Sequence, residues 1–196
     1  GGTGNDVLIA SGSVDADLAG GSGNDTVQGA AGNDVIFGDG YDDTNSVSDQ
    51  GTGGLLDRLG TSFWTSPRWG GNDNLSGGAG RDTIYGGAGS DTIDAGESNN
   101  LADGGTGNDL ISAGSGSDTI AGGDGNDTLI YDPSDVLLDG GNGTDTLLVS
   151  NAGNIIDLQE SGRPTTGALQ PSLRSLETLN ITGTGNNYVI LDAATA

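Results

Sequence analysis

Aspartates recur at a fixed place in a nine-residue repeat, and this spacing is the feature of the sequence that could do chemistry. The stretch GGDGNDTLI, residues 122–130, has glycine at positions one, two and four and aspartate at position six. Glycine permits positive φ and lets carbonyl oxygens crowd together, while the aspartate adds a charged oxygen at the same turn. Such oxygens suit a hard cation, and calcium tolerates irregular shells of about six to eight oxygens better than magnesium does.

The elements that must position these turns follow from the same register, which is unbroken from Arg68 to Asp157 and recurs less regularly in residues 1–46. Three residues around each eighth position predict a short strand with one side chain inward, and the other six predict a turn. Two repeats then form one coil with a strand on each face, and successive coils stack about 4.8 Å apart. The apolar eighth positions of the longer block are Leu75, Ile84, Ile93, Ala102, Ile111, Ile120, Leu129, Leu138, Leu147 and Ile156.

The composition requires a counter-ion and excludes several classes of function. The net charge is −23, with 28 acidic residues against 5 arginines, so the chain repels itself unless a cation neutralises it. Nucleic acid and anionic membranes are disfavoured partners. The sequence has no histidine, no cysteine and neither a GxSxG nor an HExxH motif, so we expect no enzyme activity from it. No apolar run approaches the about 20 residues needed for membrane insertion.

The repeats GGTGNDVLI, GGSGNDTVQ, GGTGNDLIS and GGDGNDTLI resemble the repeats-in-toxin (RTX) nonapeptide GGxGxDxUx, in which U is a large aliphatic residue. The resemblance implies an all-β, right-handed parallel β-roll that binds several Ca²⁺ ions. It also implies export by the type I secretion machinery and folding outside the cell. The implied carboxylate ligands are Asp6, Asp25, Asp34, Asp43, Asp73, Asp82, Asp91, Asp109, Asp118, Asp127 and Asp145. The implied carbonyl donors are Gly86, Gly89, Gly104, Gly107, Gly122, Gly125 and Gly140.

Successive turns should alternate between two edges of the roll. Turns that start at 68, 86, 104, 122 and 140 are predicted to stack on one edge, and all keep the sixth-position aspartate. Turns that start at 77, 95, 113, 131 and 149 form the other edge, where Asn100, Val136 and Asn154 replace it. We therefore expect about four ions along the first edge of this block and a sparse second edge toward its C-terminal end. The alternative is that Asp135, Asp103 or an amide oxygen fills the gaps.

The register predicts four segments: N-terminal repeats in 1–46, an insertion in 47–67, the main repeats in 68–157 and a C-terminal β cap in 158–196. The cap segment is strand-like and should cover the open end of the roll. Its stretch SLETLNITGTGNNYVILDA is similar to sequences that follow the repeats in large RTX adhesins. Because repeats begin at Gly1, we expect a monomeric fragment of a longer chain.

The insertion is predicted to loop out, with one short helical turn near Leu55–Leu59. Its aromatic residues leave two interpretations open. Trp64 and Trp69 either form a platform for a surface ligand, or the apolar residues fold onto the roll and cover a strand. If the segment is purely an insertion, the turn at 68 should stack over those at 10 and 29.

These observations predict a calcium-dependent folding module of a secreted adhesin on the bacterial surface. The alternatives are the C-terminal roll of a secreted lipase or metalloprotease, or part of a surface-layer protein. Ice binding would need a regular row of third-position threonines, and the repeats hold threonine there only at Thr3 and Thr106.

Overall fold

The computed structural model describes residues 1–39, 70–149, 155–157, 172–182 and 188–190, and their regular structure is entirely β-strand. No helix in these ranges is long and apolar enough to cross a membrane. The strands form two eight-stranded sheets and one two-stranded sheet, and every strand pair is parallel. The chain is therefore a parallel β-solenoid, which confirms the predicted β-roll.

Each turn of the chain places one strand in each large sheet. The first sheet contains, in spatial order, β1 (Gly2–Thr3), β3 (Asp17–Ser22), β5 (Val35–Asp39), β7 (Thr83–Ala88), β9 (Leu101–Thr106), β11 (Thr119–Gly125), β13 (Leu137–Gly143) and β16 (Ser172–Arg174). The second contains β2 (Val7–Ile9), β4 (Thr26–Gln28), β6 (Asn74–Ser76), β8 (Thr92–Asp94), β10 (Leu110–Ser112), β12 (Thr128–Ile130), β14 (Thr146–Val149) and β17 (Thr178–Ile181). The small sheet pairs β15 (Ile155–Asp157) with β18 (Tyr188–Ile190).

The core lies between the two large sheets and consists mainly of the eighth-position side chains. Strand β8 shows the pattern, because Ile93 is buried while its neighbours Thr92 and Asp94 are exposed. In-register pairing stacks equivalent side chains along the solenoid, as with Ile93 and Ile111. A single buried residue per short strand, repeated coil after coil, is thus enough to build a continuous core.

The insertion joins the roll at a different point from the predicted one. Hydrogen-bonded equivalents in successive coils are normally 18 residues apart, but Asp25 and Asp73 are 48 apart, so 30 additional residues lie between these coils. Gly38 and Asp39 begin the interrupted turn and residues 70–73 complete it, because Gly38 lies against Asp73. The predicted insertion, 47–67, and both tryptophans lie outside the described residues.

The prediction that the turn at 68 stacks over those at 10 and 29 is wrong. Strand β6 pairs with β4, and the turn that ends at Asp73 stacks on the turn that ends at Asp25. The sequence register assumed that the repeat starting at Gly38 continues along the chain, whereas Gly38 lies against Asp73.

The C-terminal strands cover the roll, as predicted, but the tenth repeat leaves it. Strands β16 and β17 pair with β13 and β14 and extend both sheets, whereas β15 pairs with β18 instead of joining the first sheet. The turn sequence before β15 is VSNAGN, which has Ser150 and Ala152 where the regular turns have glycine. Those positions require positive φ, which non-glycine residues adopt only at a cost.

Candidate metal centre

The edge at which the chain passes from the first sheet to the second carries a continuous ladder of aspartates; we call it the first edge. The Oδ1 atom of each aspartate accepts the backbone N–H of its equivalent one coil earlier, at 2.7–2.8 Å. Glu177 ends the ladder, since its Oε2 accepts the N–H of Asp145 at 2.8 Å. The stacking of these turns on one edge is as the spacing predicts. The ladder residues are Asp6, Asp25, Asp73, Asp91, Asp109, Asp127 and Asp145.

The other carboxylate oxygen of every ladder aspartate is buried without a hydrogen-bond partner among the described residues. A buried, unpaired anionic oxygen is costly unless a cation or proton neutralises it. Burial, opposed by a backbone hydrogen bond and reinforced by neighbouring aspartates, raises the pKa of Asp91 to about 8 and that of Asp109 to about 7. The same causes raise the pKa of Asp73 to about 6. The fold therefore holds these carboxylates where their ionised form needs a positive partner.

Carbonyl oxygens converge on the unpaired carboxylate oxygens. A Cβ atom placed on Gly104 would overlap Asp109 Oδ2 and lie 2.6 Å from the carbonyl oxygen of Gly122 in the next coil. The first glycine of the turn is thus needed for space. Positive φ occurs instead at the second and fourth positions, 103° at Gly105 and 129° at Gly107, so the expectation of positive φ at the first position is wrong there.

The profile of the RTX calcium-binding nonapeptide repeat matches four segments, residues 1–16, 15–44, 70–102 and 94–129. Together these segments cover more than half of the chain. The chain belongs to the RTX calcium-binding nonapeptide repeat family. RTX repeats bind calcium, with several ions in a repeat region. A search of curated proteins found no match.

The oxygens of the first edge fit the calcium of an RTX repeat. Calcium takes hard oxygen ligands and accepts backbone carbonyls together with carboxylates. No three acidic side chains form a metal-binding group in the described ranges, so each ion would depend largely on carbonyl oxygens. The ladder carboxylates and the glycine carbonyls, including those of Gly104 and Gly122, would hold it. The ion would supply two positive charges between stacked carboxylates and replace their repulsion with a bridge.

The opposite edge, where the chain returns from the second sheet to the first, is the second edge, and its ladder is irregular. Both oxygens of Asp34 are hydrogen-bonded, to the N–H groups of Ala16 and Ala30 at 2.8 and 2.9 Å. Ala16 occupies the place of an aspartate in the turn at 10. Asp82 Oδ2 is buried without a partner among the described residues, as at the first edge. The RTX pattern on this edge therefore contains both satisfied and unsatisfied carboxylates.

Asn100 occupies the position of an aspartate in the second-edge ladder but carries no charge. Its Oδ1 accepts the N–H of Asp82 at 2.8 Å, which fixes the orientation of the amide. Its Nδ2 lies 3.3–3.5 Å from four carbonyl oxygens, which belong to Ala95, Glu97, Ser98 and Ala113. The amide NH₂ group thus lies among carbonyl oxygens to which it can donate. An aspartate would place an unpaired anionic oxygen at the same point. This turn needs no cation to be satisfied.

The remaining predicted residues lie as follows. Asp43 and Asn154 lie outside the described residues. The charge of Asp103 acts on Asp109 of the first edge and contributes to its raised pKa.

Sequence reasoning missed Asp39, which brings a further carboxylate to the first edge where the insertion begins. Its Oδ2 accepts the N–H of Ala88 at 2.6 Å, and its Oδ1 is buried without a partner in the described structure. Burial, followed by the charges of Asp73 and Asp25, raises the pKa of Asp39 to about 7. The available signal was an acidic residue at the second position of a turn, where regular repeats have glycine.

Proposed function

We propose that this RTX chain is a calcium-dependent folding and structural module of a type I-secreted bacterial surface adhesin. The observation that carries the proposal is the first-edge ladder, in which each of the seven aspartates presents one buried, unpaired carboxylate oxygen among the described residues. Stacked coils place these charges about 4.8 Å apart, so the roll opposes its own formation until cations bind.

Calcium would act as the switch for folding. Calcium modules outside the cell commonly have dissociation constants of about 10⁻⁴ to 10⁻³ M, so the sites would be empty in the cytosol and filled outside. Each filled site adds RT ln(1 + [Ca²⁺]/Kd) to the free energy of unfolding of the roll. Because adjacent coils share ligands, filling should be cooperative. The unfilled chain, with a net charge of −23, would stay extended during export through the type I machinery.

The adhesin context is supported by the C-terminal strands. The sequence SLETLNITG, which is similar to segments after the repeats of large RTX adhesins, supplies β17. Strand β17 pairs with β14, the last repeat strand of the second sheet, so this segment is part of the same solenoid. The aromatic residues of 47–67 remain our candidates for contact with a surface ligand.

Far-UV circular dichroism tests the module directly. The chain, stripped with a chelator, should be largely unfolded and should gain β-structure cooperatively when titrated with calcium, but not with magnesium. Equal β-structure without calcium would contradict the folding mechanism.

The adhesin context needs a separate measurement, the sequence of the coding region on both sides of this segment. We expect further repeated surface domains. A lipase or metalloprotease domain in the same chain would overturn the adhesin assignment and leave the calcium module intact.

A further inference from the structure

The second-edge turn YDPSDV, residues 131–136, is built differently from the other repeats. The Oδ1 of Asp132 accepts hydrogen bonds from the N–H of Ser134, at 2.8 Å, and from the hydroxyl of Ser134. The carbonyl oxygen of Asp132 accepts a hydrogen bond from the N–H of Asp135 at 3.3 Å. This compact turn moves the inward-pointing position one residue earlier. Asp135 is 2% exposed, whereas Val136 in the sixth position is 57% exposed.

The shift brings Asp135 against Asp118 of the preceding second-edge turn. Asp118 is fully buried; its Oδ1 accepts the N–H of Asn100, while its Oδ2 has no hydrogen-bond partner in the described part of the chain. Both carboxylate oxygens of Asp135 are likewise buried and unpaired among the described residues. The two carboxylates are close enough for one hydrogen bond, yet neither can donate when both are ionised.

No positive side chain among the described residues compensates this pair. The charged groups that act on Asp135 are Asp118 and Asp132, and both are negative. Two buried carboxylates in contact cannot both remain ionised without a positive partner. Three buried, unpaired oxygens on these two carboxylates are a suitable donor set for a hard divalent cation, with backbone carbonyl oxygens completing its shell.

We propose that Asp118 and Asp135 hold a calcium ion at a second-edge site outside the nonapeptide pattern. The sixth-position rule assigns this place to Val136 and predicts no ion there. The proposal rests on calcium binding by the RTX repeats and is independent of the adhesin context.

The competing occupant is a proton shared between the two carboxylates. Such a proton would neutralise one of the two buried carboxylates and remove their repulsion without a metal ion. The variant Asp135→Asn separates the two cases, because the amide has the shape of a protonated carboxyl and can donate to Asp118. If the two carboxylates share a proton, this substitution should change the stability little. If they hold a calcium ion, it removes a negative charge that the ion requires.

The test counts bound calcium on the full chain by equilibrium dialysis and follows thermal unfolding in saturating calcium. Asp135→Asn should bind one ion fewer than the wild type and unfold at a lower temperature. The control Asp94→Asn, an exposed aspartate on strand β8 away from this turn, should bind the same number as the wild type. An unchanged ion count in Asp135→Asn, with equal or higher stability, would show a shared proton and overturn the proposal.

Terbium luminescence gives a second readout if the Asp135 variant folds poorly. Tyr131 is buried, and the charges of Asp132 and Asp135 act on it, so it should sensitise a terbium ion bound at this site. Tyr131→Phe should lower tyrosine-excited emission without changing the ion count. Emission equal to that of the wild type would contradict an ion between Asp118 and Asp135.

Discussion

The two edges of the roll are built from the same nonapeptide, yet they differ in what they need for stability. Along the first edge every turn before Glu177 ends in aspartate, and each of those aspartates keeps one oxygen that is unpaired among the described residues. Along the second edge Ala16 and Asn100 interrupt the aspartates, and the aspartate of one turn is displaced to Asp135. The spacing therefore creates the ladder, but the side chain at position six decides whether the ladder requires a cation.

The first position of the turn distinguishes the edges as well. On the first edge it is glycine, because a side chain would overlap the carboxylate and a carbonyl of the next coil. On the second edge Gly29 and Gly77 keep this glycine, but later turns replace it with Ala95, Ala113 and Tyr131, which are buried in the core. The second edge thus gains apolar burial where the first edge keeps room for ions. We expect the first edge to be the calcium switch and the second edge to supply more of the calcium-independent stability.

The largest effect should come from removing charge at two adjacent first-edge turns. In Asp109→Asn with Asp127→Asn, each amide oxygen can still accept the ladder hydrogen bond, as Asn100 does. The loss of two carboxylates should lower the calcium affinity of this edge by at least about tenfold and reduce the cooperativity of the titration. Circular dichroism during a calcium titration measures both quantities.

The matched control for this variant is Asn108→Ala. Asn108 lies next to Asp109, and its Oδ1 accepts the N–H of Asn126 on the exposed side of the same edge. Its removal should cost about 1 kcal/mol or less of stability and leave the calcium cooperativity unchanged. A double variant that titrates like the wild type would refute the first edge as the switch.

A smaller effect should follow from pH in the absence of calcium. The folded-state pKa values of Asp73, Asp91 and Asp109, about 6, 8 and 7, lie above the ordinary value of 3.8. The calcium-free roll therefore binds protons more tightly than the unfolded chain, and its stability rises as pH falls from about 8 toward 4. Below the ordinary pKa the gain is complete. Protons also compete with calcium, so calcium affinity should fall over the same range.

Circular dichroism in chelator at pH 8, 6.5 and 5 checks this prediction. We expect β-structure to increase on acidification, and to increase less in the Asp109→Asn, Asp127→Asn variant. β-structure that stays constant or decreases would show that these carboxylates do not oppose folding of the calcium-free roll.

The sequence predicted the regular part of the fold because one physical pattern determines it. An apolar residue at every eighth position, such as Ile93 or Ile111, specifies both the strand and its inward face. Glycines at positions two and four specify the turn, since the backbone there has positive φ. The assignment of alternate turns to two edges follows from these two constraints.

The departures arose where the chain leaves the nonapeptide geometry. Asp39 belongs to a turn that residues 70–73 complete. Because an insertion separates the two segments in the sequence, the repeat register could not place them in the same turn. Asp135 occupies the buried position because hydrogen bonds of Asp132 compact its turn, a local effect that the repeat pattern does not contain. In a non-periodic turn, therefore, the buried position depends on hydrogen bonds within that turn, which the repeat pattern does not predict.

The smallest predicted effect tests whether the Asn100 amide takes the place of a cation. In Asn100→Asp the four carbonyl oxygens near Nδ2 lose their donor, and a buried anionic oxygen replaces it. In chelator the roll should lose about 1–3 kcal/mol of stability. In calcium the variant should bind one additional ion, because the turn then has an aspartate at position six, as the first-edge turns do.

The control Asn99→Asp adds the same charge on the exposed neighbour, whose Oδ1 accepts the N–H of Ser117. It should change neither the stability in chelator nor the number of bound ions. If Asn100→Asp bound no additional ion and kept its stability in chelator, charge at position six would not be the property that separates the two edges.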